Sequence, residues 1–125
     1  MDKKESMKEE LISFETAKLA KDKGFEVWSP YIYSLEGDLR PNMVLNKESR
    51  YEAPTQSLLK KWLREVHNIH VSAFPVMKER YYYSLSIILD SDMKKIKGAP
   101  YDPKESKYTY EEALEAGLYE ALKII

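Results

Sequence analysis

The amino-acid sequence predicts a single small α+β domain of order α–β–β–α–β–β–α, with an antiparallel sheet of three or four strands and helices mainly on one face. Three stretches carry that prediction. Residues 54–67 place Leu58, Leu59, Trp62, Leu63 and Val66 on one stripe of a 3.6-residue repeat. Residues 69–74 and 81–89 alternate with a period of two and are rich in β-branched and aromatic side chains. Residues 109–112 read Thr-Tyr-Glu-Glu, a capping box ahead of Leu114, Leu118, Leu122 and Ile125 on one helical side. A hairpin packed under the Trp62 helix is the central tertiary expectation.

Residues 1–12 form a polar N-terminal segment, open to disorder, and 13–125 the domain. Ser13 is expected to cap a short helix with Glu15 in its first turn, lysines near its end and Gly24 just beyond it. Ile12 ahead of the cap is placed to pack back on Ala17 as a hydrophobic staple. From Phe25 the pattern turns extended, and Pro30 delays the first strand to residues 31–35. Glu36-Gly37-Asp38 signals a turn, residues 39–45 a returning strand weakened by Pro41 and Asn42, and residues 46–52 a polar loop.

Pro54 suits the first position of the next helix, where an N–H would lack an intrahelical partner, and Asn68 suits its end. In the hairpin that follows, Tyr81, Tyr83, Leu85 and Ile87 share one face. Pro75 cannot donate to a ladder, so its strand should lie at an edge or bulge there. Asp90-Ser91-Asp92 reads as a turn. Residues 94–107, with Pro100 and Pro103 and little periodicity, read as a mobile loop. In the last helix Ala113, Gly117 and Ala121 form a small-residue strip that lets another backbone come close. The likeness of residues 13–17 to 109–113 follows from shared cap chemistry rather than from a repeat.

A chain of 125 residues is long enough for one core, and 43% hydrophobic with 33% charged residues is ordinary globular composition. Twenty basic against 21 acidic residues leave a net charge of −1, so a global basic footprint for nucleic acid is absent. The lack of cysteine excludes disulfides, thiolate metal sites and a Cys nucleophile. The first residues lack the apolar core of a signal peptide, and no apolar run approaches the roughly 20 residues of a spanning helix. A soluble cytoplasmic protein with neither a membrane partner nor a cofactor is expected. Ten tyrosines are many for this length, and tyrosine serves both half-buried sheet faces and binding surfaces.

Residues 12–17 (Ile-Ser-Phe-Glu-Thr-Ala) with Lys23-Gly24-Phe25 form one motif. Residues 53–59 (Ala-Pro-Thr-Gln-Ser-Leu-Leu) with Trp62-Leu63-Arg64 and His67-Asn68-Ile69-His70 form a second, and residues 108–114 (Tyr-Thr-Tyr-Glu-Glu-Ala-Leu) a third. In that order the chain resembles a group of short uncharacterised proteins carried by bacteriophages and prophages of gut bacteria. The resemblance spans nearly the whole chain. It implies a phage or mobile-element setting, with a bacterial host cytoplasm as the location, and it implies no activity and no catalytic residue.

The residues themselves offer few routes to chemistry. Glu65, His67 and His70 are the nearest approach to a metal cluster, but the two histidines straddle a helix–strand boundary and zinc wants three or four convergent ligands. Asp90, Asp92 and Asp102 could hold Mg²⁺, though acids at a strand end usually make a turn. No nucleophile elbow or phosphate loop is present. Lys60, Lys61 and Arg64, or Lys94, Lys95 and Lys97, could contact phosphates while neighbouring tyrosines stack on bases. The leading expectation is a non-enzymatic module that binds a protein partner, or itself, through Tyr81, Tyr82 and Tyr83 and the edge near Pro75. A small nucleic-acid-binding module using Lys60, Lys61 and Arg64 is the alternative, and a metal-dependent enzyme comes third.

Overall fold

The computed structural model describes residues 9–43, 46–89, 92–97, 106–107 and 109–125, which form three helices and two antiparallel sheets, an α+β fold as predicted. Helix α1 spans Phe14–Asp22. The Ser13 hydroxyl accepts from the Thr16 N–H at 3.2 Å, and Gly24 follows the C-cap Lys23 at φ +97°. Both ends match their sequence signals, because a hydroxyl satisfies an otherwise orphaned amide and glycine takes that φ without strain. Ile12 is fully buried in one cluster with Ala17 and Ala20. Its N–H donates to the Pro54 carbonyl at 3.0 Å, while the Gln56 N–H donates to the Glu10 carbonyl at 2.8 Å. The packed fold therefore takes in residues 10–12, which the polar composition around them conceals.

The first sheet is small. Strand β1 (Tyr31–Tyr33) lies between β2 (Leu39–Pro41) and β3 (Tyr51–Glu52), antiparallel to both. The β1–β2 turn closes through Gly37 N–H to the Ser34 carbonyl and Ser34 N–H to the Asp38 carbonyl, both 2.9 Å. Strand β3 arises where a polar loop is expected. Two residues carry too little periodicity to signal a strand, and their pairing with Ile32 and Tyr33 is decided by distant chain. Tyr33 and Tyr51, opposite one another, set their rings on Phe14 of α1 at centroid distances of 5.5 and 5.7 Å.

Helix α2 spans Gln56–His67, with Thr55 as its N-cap accepting from the Leu58 N–H at 3.1 Å. Pro54 is thus not the first helical residue. It lies buried ahead of the cap. Asn68 ends the helix in the left-handed region at φ 57°, ψ 29°. Leu59 and Leu63 are fully buried, but Leu58 and Trp62 are only half-buried and Val66 is 58% exposed. The buried arc is narrower than the apolar stripe because α2 packs against one strand of the second sheet, β4, rather than over the centre of the hairpin.

That sheet has the order β4-β5-β6, from β4 (Ile69–Met77), β5 (Arg80–Leu89) and β6 (Asp92–Lys97). Ile69 and Val71 sit opposite Ile87 and Leu85 on the inward face. Pro75 lies on the edge strand beside a register shift before Met77, as its missing donor requires. Strand β6 overturns the expected loop over residues 94–97 and takes in Asp92 of the expected turn, and Lys107 near the loop's end bridges to Tyr81. Residues 98–105 of the loop and 90–91 of the turn lie outside the described residues.

Helix α3 (Tyr110–Lys123) is capped by the Thr109 hydroxyl, which accepts from the Glu112 N–H at 3.0 Å. It covers both β4 and β5 and is the main lid of the hairpin, with α2 at the sheet's edge and α1 stacked on α3. Gly117 makes the close approach possible. A Cβ there would lie 2.8 Å from Val71 Cγ1 and 3.0 Å from Tyr83 Cβ. No helix among the described residues is long and apolar enough to cross a membrane.

Candidate functional site

Tyr82 and Tyr83 are 3% and 5% exposed, so neither is a surface anchor. Tyr83 faces the core, beneath Gly117. Tyr82 packs edge-on against Phe74 at 6.3 Å and stacks on Tyr83 at 5.2 Å. Tyr81 is half-buried; its backbone exchanges two 2.8 Å hydrogen bonds with Lys107 and its ring meets Tyr110 edge-on. The triplet is a packing feature of β5. The edge near Pro75 is exposed, with Pro75 and Met77 both at the surface.

Exposed apolar side chains gather instead around the first sheet. Trp28 is 61% and Met43 85% exposed, Val27 and Tyr31 are exposed within three residues of Trp28, and Leu39 is exposed at the other end of β2, opposite Tyr33. Their presentation has a rigid base. Ser29, fully buried, donates its N–H to Glu52 Oε1 at 3.2 Å. Asn42 Nδ2 donates to the Ser29 carbonyl at 2.7 Å and reaches both Glu52 oxygens at 3.2 and 3.3 Å. Arg50 Nε closes the cluster 3.4 Å from Glu52 Oε2. The Asn42 N–H adds a 2.9 Å bond to the Pro30 carbonyl. A buried carboxylate therefore locks the residues directly after Trp28 and directly before Met43, and both large side chains project from that anchored pair of segments. Periodicity could not reveal this, because the segments lie outside any regular element. The available signal was large apolar residues flanking Ser29-Pro30 and Pro41-Asn42.

An open groove of about 840 Å³ lies where the starts of all three helices meet. Glu10, Glu111, Glu112 and Glu115 line it with Tyr33, Gln56 and Lys107. Its central group is already engaged. Glu115 accepts from the Ser13 N–H at 3.0 Å, from the Thr16 hydroxyl and from Gln56 Nε2 at 2.9 Å. Tyr33 donates to the Ile12 carbonyl at 2.7 Å, and its pKa is raised by burial first and then by the negative charges of Glu115 and Glu10. Groups so fully paired hold the helix starts together.

The histidines do not converge with acids. His67 sets its ring 4.8 Å from that of Trp62, its Nε2 buried without a hydrogen bond among the described residues. His70 lies on the outward side of β4, beyond buried Ile69 and Val71. Among the described residues no three His, Asp or Glu side chains form a group able to hold a metal ion. Asp90 and Asp102 lie outside the described residues. Lys94, Lys95 and Lys97 fall on β6 opposite Ile87, Ser86 and Leu85. Of the basic helix residues, Lys61 is exposed on the side away from the sheet. Lys60 and Arg64 instead share a pocket with β4.

Comparison with protein-family models, curated proteins and solved structures finds no match to this chain.

Proposed function

We propose that this chain is a non-enzymatic interaction protein of a phage or prophage, and that it binds a protein partner through the surface carrying Trp28, Tyr31 and Met43. The observation that carries the proposal is the 61% exposure of Trp28 on a segment locked by the Glu52 cluster. An exposed indole on a mobile loop would lose entropy on binding. One held by a buried carboxylate is pre-organised, and tryptophan and tyrosine are the residues most enriched in binding hot spots. The phage setting rests on the motif resemblance of residues 12–17, 53–59 and 108–114.

The partner is a different protein rather than a second copy. A protruding Trp28 needs an apolar hollow to receive it; the grooves at the helix starts and beside β4 are lined largely by acids or by bases, and the hollow at Phe25, about 50 Å³, is too small for an indole. Pairing of two β2 edges would add a ladder of only three residues, interrupted by Pro41. Affinity capture of the tagged chain from prophage-induced cells, with and without nuclease, tests this. A stoichiometric, nuclease-resistant protein should be retained by the native chain and lost with Trp28→Glu. Equal retention by both, or a dimer in sedimentation that Trp28→Glu dissociates, would overturn the proposal.

A further inference from the structure

The two basic residues that share a pocket on α2 point to a second site. Lys60 and Arg64 are one turn apart, on the flank of α2 beside the buried Leu59 and Leu63, so their side chains lean over β4. There they meet His70, Val71 and Ser72 around a pocket of about 230 Å³. No carboxylate among the described residues lines it. Among the described residues neither Lys60 nor Arg64 has an ion-pair partner, whereas Lys18, Arg40, Arg50 and Lys123 each do. What sets these two apart from other cations unpaired among the described residues, such as Lys61 and Lys78, is that both face one hollow.

We infer that this pocket binds a phosphate group, with the Arg64 guanidinium and Lys60 ammonium supplying charge and His70 and Ser72 further donors. The donor set fits that chemistry. A guanidinium offers a planar fork to two phosphate oxygens, while an ammonium, a ring N–H and a hydroxyl approach from other directions. A carboxylate, with two oxygens in one plane, would leave half of them unused. The pocket is smaller than the roughly 300–1,000 Å³ of sites that enclose a whole drug-sized molecule, so it suits one small anionic group with the rest of its molecule outside. Strand β4 is the sheet's edge, and in an antiparallel ladder alternate residues direct both backbone groups away from their neighbour. One of Val71 and Ser72 therefore turns its N–H to this open side.

The phosphate could belong to a free nucleotide or to the backbone of a single strand, and titration of the full chain separates these sources. Inorganic phosphate, a nucleoside monophosphate and an eight-nucleotide thymidine strand are each added while amide shifts and heats are followed. Arg64→Ala and Lys60→Ala should each weaken binding about tenfold, while Lys78→Ala, which removes one exposed charge at the far end of β4, should leave it within about twofold. Shifts centred on residues 70–72 with the monophosphate indicate a terminal phosphate. Binding of the strand alone, weakening steeply with salt, indicates the backbone. Either result supports the site. Equal weakening by Lys78→Ala and Arg64→Ala would reduce it to diffuse charge and overturn it, as would no binding of any of the three probes. Unchanged far-ultraviolet dichroism of the variants separates loss of binding from loss of fold.

Discussion

At Gly117 two effects of one substitution oppose each other. Alanine would gain up to about 1 kcal/mol of helix propensity over glycine. Its Cβ would also press to 2.8 Å on Val71 and 3.0 Å on Tyr83, between a helix and a sheet that are both fully packed. Overpacking typically costs about 1–3 kcal/mol, so Gly117→Ala should lower stability by roughly 1 kcal/mol in denaturant titration. Tyr33 makes a prediction in pH. Its folded-state pKa is raised, chiefly by burial, so above the ordinary tyrosine range the unfolded chain releases the proton first. Stability from this group is thus complete below about pH 10 and falls as pH climbs through the raised folded value. Tyr33→Phe should lose about 1 kcal/mol at neutral pH, from the bond to the Ile12 carbonyl, and show a shallower alkaline decline. Denaturation midpoints of both chains across that range would show it.

The three helix starts form a unit through Glu115. Its carboxylate, on α3, accepts from the α1 cap residue, from Thr16 in the first turn of α1 and from Gln56 at the start of α2. Negative charge at two helix N-termini is favourable, and three donors lose their acceptor when it is removed. Glu115→Ala should therefore cost about 3 kcal/mol, well above the roughly 0.5 kcal/mol of an ordinary surface substitution. Helix α2 carries the opposite lesson. Trp62 is half-buried, edge-on to Phe25 at 5.2 Å and to His67, and not central to the hairpin. Trp62→Ala should cost about 2 kcal/mol in thermal unfolding, below the roughly 3–5 kcal/mol of a fully buried tryptophan.

Taken together, the fold keeps its stability and its candidate contacts in different places. Stability resides in one core drawn from α1, α2, β4, β5 and α3. The exposed Trp28 and Met43 lie outside that cluster, on segments flanking the smaller sheet. Trp28→Glu should accordingly shift the thermal midpoint by no more than about 2 °C while abolishing partner capture, since an exposed side chain contributes little burial. A large drop in midpoint would place Trp28 in the fold rather than in recognition.

The helix ends at Ser13, Gly24, Asn68 and Thr109, the alternating hairpin, the edge position of Pro75 and the close approach at Gly117 were all legible along the chain. Each depends on chemistry acting within a few residues: a hydroxyl near an amide, a glycine at positive φ, a side-chain period. The two-residue strand β3, the strand at residues 92–97, the shift of the hairpin's cover from α2 to α3 and the burial of Tyr82 and Tyr83 were not. Those outcomes turn on which distant surfaces meet. A tyrosine in a strand carries the same local signal whether a helix covers it or water does. The anchored Trp28 belongs to the same class, because Ser29, Asn42 and Glu52 are far apart in sequence. Lys60 and Arg64, by contrast, were legible as a basic pair, and only their meeting with His70 and Ser72 awaited the fold.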